Sequence, residues 1–248
     1  HRKERETNKK PDSKNKIEKV EDMLGEGISL PDYLVRLEDA TNTNIGRKAI
    51  EFLESRHIDY REYPFFVTYG KTKSKAQQDK INCKIMRNRL IIPIYYNNKL
   101  LLLQGRALEN GVKNKYINIG NVSNVLFGLD KLKDEHKYIF VTEGFFDAYH
   151  LNGVACITNK LTSQQIKILN SFKKEKVIVP DRDESTLTML NKGITEGWGY
   201  SAPKKLKNCK DVTEAIQKYG KLFTTYEIMK NVKLGDEAEF LANTISNK

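Results

Sequence analysis

From about Glu135 the sequence alternates short apolar runs with helix-patterned stretches. KYIFVT, VACIT, KVIVP and WGYSAP read as strands; GFFDAYHLNG, TSQQIKILNSF, STLTMLNKGITEG and DVTEAIQKYG read as helices. Apolar runs with no polar alternation need cover on both faces, so the pattern implies an α/β unit with a mostly parallel sheet flanked by helices. Thr162 and Gln165 are spaced as a capping box at the start of one of these helices. Parallel strands end along one edge, so the residues just past each strand are gathered there. Two of the strands lead directly into acids: Glu143 and then Asp147 after IFVT, and Asp181 and Asp183 after VIVP. Carboxylates brought together repel one another unless a cation holds them. Mg²⁺, or Mn²⁺ in its place, is the natural choice for an all-oxygen set, and such a site binds phosphates. Gly144 would let the chain turn sharply beneath Glu143. Asp147, one helical turn on, would face the same cleft or lie on a solvated helix surface.

The preceding region, about 28–134, is mixed. ISLPDYLVRLEDA reads as an extended entry with a short turn or helix, and a helix is expected from about Gly46 to Arg56. EYPFFVTYG reads as a strand, and RLIIPIYYNNKLLLLQGRAL as a hairpin turning at Asn97 and Asn98. Pro93 implies that its strand lies at an edge or carries a bulge. Phe65, Phe66 and Trp198 are expected in the core. The first twenty residues carry eight Lys/Arg against four acids and cannot build a core. The implied organisation is a basic linker or arm (1–27), an N-terminal α+β subdomain (28–134), the alternating unit (135–220) and a helical tail (221–248).

Formal net charge is +11, which favours a nucleic-acid partner, with a lysine-rich proteome as the plainer account. The charge is clustered: Gly70 to Arg89 holds seven Lys or Arg and one acid, Asp79. This stretch, with Lys84, Arg87 and Arg89, is the candidate for contact with a DNA strand through its phosphates. Lys71, Lys73 and Lys75 read as a flexible solvated loop. Cys83, Cys156 and Cys209 form no CxxC pair, which gives neither a zinc finger nor a disulfide framework and suits a reducing compartment. No apolar run has the length of a membrane span.

The acidic constellation, E-G-x-x-D succeeded by D-x-D, resembles the Toprim domain of bacterial-type primases, topoisomerases and some nucleases. The resemblance implies that Glu143 acts in catalysis or metal binding and that Asp181 and Asp183 bind Mg²⁺. Upstream, the hairpin ending in Gly105-Arg106, the segment Lys115-Tyr116-x-Asn118 and LFGLD resemble the polymerase core of bacterial and phage primases. Arg106 and Lys115 would hold phosphates, while Tyr116 and Asn118 would stack on and hydrogen-bond a nucleotide. Ordinary surface cations on a hairpin are the alternative. CKDVTEAIQKYG resembles the segment after the last sheet strand of T-even-type phage primases, which makes Asp211 a further acid near the metals. Asp211 and Glu214 equally fit a helix-capping pair. Thr213 stands where that family has Asn or Asp.

The resemblance thus implies a Toprim-type DNA primase: a Toprim domain preceded by a mixed α+β primase subdomain, copying single-stranded DNA into short RNA primers from ribonucleoside triphosphates. Two-metal phosphoryl transfer is the implied chemistry, a replicative hexameric helicase the implied partner, and the cytoplasm, the host's if viral, the implied location. These primases usually carry a zinc-binding domain, expected upstream of His1 and joined through the basic linker. A Toprim nuclease would use the same acids to activate water, although no Walker motif accompanies them. A non-catalytic module that binds single strands or regulates a helicase would need the cations and not the acids.

Overall fold

The structure is a computed structural model that describes residues 20–158, 160–181 and 186–246. Two sheets organise it. The first holds β1 (Val35–Arg36), β2 (Phe66–Val67), β3 (Arg89–Tyr96), β4 (Lys99–Ala107) and β5 (Tyr116–Ile119), in that spatial order. Every pairing in it is antiparallel. The β3–β4 hairpin turns at Asn97 and Asn98, with φ of 47° and 63°. A two-residue hairpin turn of this hand needs positive φ at both positions, and asparagine tolerates it best among residues with a side chain.

The β3 run is unbroken because both of its faces are covered. Leu90, Ile92 and Ile94 enter the main core, while Ile91 joins Phe66, Met86, Leu100 and Leu103 in a smaller cluster. Pro93 lies inside β3 but pairs only with Leu103 of β4, and the register shifts at the next step, Ile94/Tyr95. The short β2 meets β3 at Ile91 and stops before it reaches the proline. The missing N–H is therefore unneeded, and both features expected of a strand proline are present together.

The second sheet holds β6 (Tyr138–Thr142), β7 (Val154–Ala155), β8 (Glu175–Ile178) and β9 (Gly199–Tyr200), all parallel, in the order β7-β6-β8-β9. Ile139, Val141 and Ile178 pack into the main core, and Phe140, Val177 and Val179 into a cluster on the opposite face with Val212, Ala215, Ile216 and Ile228. Cover on both faces is what the apolar runs required. Strands proposed over EYPFFVTYG and WGYSAP shrink to two residues each. After β9, Pro203 leads into a 3₁₀ turn at Lys204–Leu206, which ends the ladder.

The helices are α1 (residues 20–24), α2 (Asn44–Glu54), α3 (Gln77–Ile85), α4 (Phe145–Leu151), α5 (Ser163–Asn170), α6 (Thr186–Thr195), α7 (Val212–Tyr219), α8 (Lys221–Lys230) and α9 (Gly235–Ser246). The capping box opening α5 forms in full: Thr162 accepts from Gln165 N while Gln165 accepts from Thr162 N. Thr43 caps α2 by accepting from Gly46 N. Phe65 and Trp198 lie in the main core, and the Trp198 indole donates to Asn170. Among the described residues no helix is long and apolar enough to cross a membrane.

The two sheets meet through an aromatic hub. Phe145, the first residue of α4, is 1% exposed. Its ring lies 4.5 Å from Phe127, 5.2 Å from Tyr63 and 5.9 Å from Phe65, centroid to centroid. Phe145→Ala is expected to destabilise the protein by about 3–5 kcal/mol, the usual cost of emptying a buried aromatic site. Urea unfolding checks this; a loss below about 1 kcal/mol would show that the sheets do not depend on this contact.

Candidate active site

A cleft of about 900 Å³ lies where the sheets adjoin. Its acidic side is built at the carboxyl ends of the parallel strands. Glu143 comes directly after β6 and Asp181 shortly after β8, and these two strands are neighbours. The chain runs from β6 outward to β7 and then returns to the other side of β6, so the acids flank the point where the strand order reverses. Open α/β sheets leave a crevice there because successive connections diverge to opposite faces. Asp147, on α4, and Asp211, at the start of α7, line the same cleft. Asp183 lies outside the described residues.

Asp147 is no solvated helix acid. It is 6% exposed, and one carboxylate oxygen accepts from both the backbone N–H and the hydroxyl of Thr213, each at 2.8 Å. Burial, and then the charge of Asp211, push its pKa up to about 6, against the pull of the Thr213 bonds. Asp211 caps α7 by accepting from Glu214 N at 2.7 Å, and Glu214 accepts from Lys210 N at 2.6 Å. The capping geometry is therefore real, and the same carboxylate still borders the cleft.

Gly144 has φ −107° and ψ 155°, a conformation open to any residue. A Cβ there would meet only Asp147 Oδ2, at 3.8 Å. The sharp turn expected beneath Glu143 is not what the glycine provides; it leaves the α4 N-terminus bare between two carboxylates.

The opposite side is cationic and amide-rich. Lys115, Tyr116 and Asn118 on or beside β5, and Gln104 on β4, border the cleft with Arg56 at the end of α2. Burial, and then the nearby charges of Arg106, Lys210 and Arg56, hold the Lys115 ammonium below its ordinary pKa. Gln104 donates to Asn118 across the β4–β5 ladder at 3.1 Å. Arg106 stands one layer back. Its guanidinium lies 5.2 Å from the Tyr116 ring centre and 5.1 Å from that of Phe52, and it donates to Ala107 O at 2.7 Å. Arg106 thus backs Tyr116 instead of lining the cleft.

Arg56 and Gln104 were not identified from the sequence. Arg56 had no local signal beyond a cation ending a helix. Gln104 had one, a lone polar residue closing a run of leucines, and it is 3% exposed.

The basic stretch forms a second groove, of about 600 Å³, lined by Gly70, Lys71, Thr72, Lys80, Cys83, Lys84 and Arg87. Its loop is solvated but fastened. Asp32 accepts from the Thr72 hydroxyl at 2.6 Å and from Lys73 N at 2.7 Å, and Ser74 donates to Asp79 at 2.5 Å. Arg89 is not part of this groove. It is 6% exposed and its guanidinium donates to four backbone carbonyls.

Among the described residues no three His, Cys, Asp or Glu side chains close into a metal-ready group. The acids that do share the cleft offer oxygen only, the donor type a hard divalent cation takes. The charge of Asp211 helps to push the Asp147 pKa up, so the two carboxylates feel one another across the cleft. The acidic side therefore fits a divalent cation by the chemistry of its donors.

No family model matches the chain, and no curated protein matches it. Solved structures do. The zinc-binding and RNA polymerase domains of Aquifex aeolicus primase match at TM-score 0.60 and 21% identity over 89% of this chain; the chain spans 62% of that protein's length. A DnaG primase catalytic domain bound to ssDNA matches at TM-score 0.62 and 15% identity, covering 94% of this chain and 84% of the other. The E. coli primase catalytic core matches at TM-score 0.62 and 16% identity, covering 85% of this chain and 80% of the other. The chain therefore has the fold of the primase catalytic core, a parallel Toprim sheet joined to an antiparallel one.

Proposed function

We propose that the chain is the RNA polymerase core of a DNA primase of the phage type, making short RNA primers on single-stranded DNA. The observation that carries this reading is the facing of strand-end carboxylates and a cationic, amide-bearing strand pair across one cleft, in the fold of primase catalytic cores. A nuclease could use the acids and the cations alike, but the Tyr116 ring and the Gln104–Asn118 amide pair suit the base of a nucleotide, which hydrolysis does not require. The T-even-type likeness of the Lys210–Gly220 segment is the support for the phage branch.

Glu143, Asp181 and Asp211, with Asp183, would hold Mg²⁺ or Mn²⁺. Bound there, the cations supply charge neutralisation for phosphoryl transfer from a ribonucleoside triphosphate. The chain's own groups do the rest. Lys115, Arg56 and Lys210 pair with the triphosphate, and their charges line the route that its negative charge must take. Tyr116, backed by the Arg106 guanidinium, presents a ring to a base, and the Gln104–Asn118 amide pair offers polar contacts beside it. Asp147 is a positioning residue: its two bonds to Thr213 fix the first turn of α7 and so place Asp211.

The groove of Lys84 and Arg87 would carry the template through its phosphates. A replicative helicase is the proposed partner and the cytoplasm the proposed site of action.

Three outcomes test this reading. With ssDNA, labelled ribonucleotides and Mg²⁺, short RNA products are expected from the wild type. Glu143→Gln or Asp181→Asn should cut synthesis at least about 100-fold while leaving ssDNA affinity within a factor of about two. DNA shortening without RNA would point to the nuclease instead.

Arg87→Ala should weaken ssDNA binding alike for all sequences and flatten the log Kd–log salt slope by about 0.7. An unchanged slope would remove Arg87 from the template path.

Asp147→Asn keeps an oxygen for Thr213 but no charge. In the wild type the folded-state pKa is raised, so stability falls as pH rises from the unfolded value near 4 to about 6 and is level above that. In chelator, Asp147→Asn should therefore match the wild type near pH 4 and exceed it by up to about 3 kcal/mol above pH 6. A gap independent of pH would show that the buried carboxylate is not the strained group.

A further inference from the structure

Arg89 and Arg87 are two residues apart in a basic stretch, yet their environments are opposite. Arg87 is exposed beside the basic groove. Arg89 is buried at the start of β3, and its fork reaches three separate segments. Nε donates to Ile85 O at 3.0 Å, at the end of α3. Nη1 donates to Gly105 O and to Lys115 O, each at 3.2 Å, and Nη2 donates to Asn114 O at 2.9 Å. All four acceptors are neutral carbonyls. A buried guanidinium needs such partners, and each carbonyl gains a charge-assisted donor in return.

The surrounding residues are shaped to let this side chain through. A Cβ at Gly105 would stand 2.4 Å from Met86 Sδ and 3.0 Å from Arg89 Cδ. A side chain at position 105 would therefore force Met86 or Arg89, which cross over the glycine, to shift. The loop between β4 and β5 is then fastened at both ends by consecutive residues. Asn88 holds its entry, accepting from Leu108 N at 3.1 Å and donating to Glu109 at 3.1 Å. Arg89 holds its exit at Asn114 and Lys115, where Ala107 N also donates to Lys115 O at 2.9 Å.

We propose that Arg89 is a positioning residue for the nucleotide side of the cleft: by gripping the carbonyls of Asn114, Lys115 and Gly105 it sets the register and tilt at which Lys115 and Tyr116 face the acids, and it makes no contact with DNA. The proposal rests on the primase reading for what that side binds, but not for the grip itself. A planar fork with five donors can serve carbonyls in three directions at once, whereas an ammonium is a single point. Arg89→Lys therefore keeps the charge and removes the grip.

The test uses the full chain and compares Arg89→Lys, Arg89→Met and Lys115→Ala with the wild type. Hydrogen exchange is the readout that needs no activity. In Arg89→Lys the amides of Lys115–Ile119 should exchange at least about tenfold faster, while those of the β3–β4 hairpin keep their rates. Lys115→Ala should leave exchange unchanged. With Mg²⁺-ATP as the probe, Arg89→Lys should raise Kd, and KM in primer synthesis, about tenfold, with kcat recovered at saturating nucleotide.

Affinity for oligo(dT), and its salt slope, should not move in Arg89→Lys. A fall in oligo(dT) affinity with a flatter slope in Arg89→Met would make Arg89 a phosphate contact and overturn the proposal. Unchanged exchange in a folded Arg89→Lys protein would overturn it as well. If Arg89→Met does not fold, Arg89→Lys alone decides. Should the wild type bind no nucleotide, the primase reading fails while the exchange result still judges the grip.

Discussion

The contact on which the rest depends is the insertion of Phe145 between the two sheets. Its ring touches Tyr63 and Phe65 from the segment that leads into β2, Phe127 from the connection before β6, and Phe146 and Tyr149 from its own helix. Edge and tilted aromatic contacts each add about 0.5–1.5 kcal/mol beyond burial and also fix relative orientation. The polar rims of these rings are satisfied in place: Tyr63 donates to Pro93 O, Tyr149 donates to Glu62 at 2.5 Å, and the Lys131 ammonium lies 4.9–5.5 Å from three ring centres. Phe145 is two residues from Glu143 and two from Asp147. The turn that joins the sheets is thus the turn that carries the acids, and the width of the cleft depends on how that one ring packs.

Charge is separated by the same arrangement. Within the cleft, carboxylates lie at the ends of the parallel strands, Lys115 and Arg56 face them from the antiparallel side, and Lys210 stands beside Asp211. The junction itself is held by polar struts. His150 Nε2 bonds Arg56 O at 2.8 Å, Gln217 donates to Ser55 O, and the Arg56 guanidinium lies 5.5 Å from the ring centres of both Phe52 and Phe146. Burial holds the His150 pKa below its ordinary value. The His150 and Gln217 bonds tie the end of α2, and with it Arg56, to helices of the parallel sheet.

Several elements were legible because their cause is local. Apolar runs without alternation announced the parallel sheet, and the Asn97-Asn98 pair announced the hairpin. Thr162 and Gln165 announced a helix start, and each of these forms as read. Strand lengths were less legible. EYPFFVTYG has strand composition, but only Phe66–Val67 finds a partner, because pairing depends on where β3 lies and not on the run itself.

The sequence by itself determined which residues end the parallel strands, and hence that Glu143 and Asp181 come to one edge, because strand periodicity and parallel order suffice for that. Only the tertiary structure decided the other side of the cleft. Gln104 and Arg56 reach it through cross-strand register and through the angle at which α2 ends, neither of which is encoded nearby. Arg106, read as a phosphate ligand, stands behind Tyr116 because its cross-strand partner takes the front position. Arg87 and Arg89 share charge and neighbourhood, and they are separated by a set of carbonyls, three of which lie 16 to 26 residues further along the chain. A buried cation is chosen by acceptors that only the folded chain assembles, and no window of sequence around it contains them.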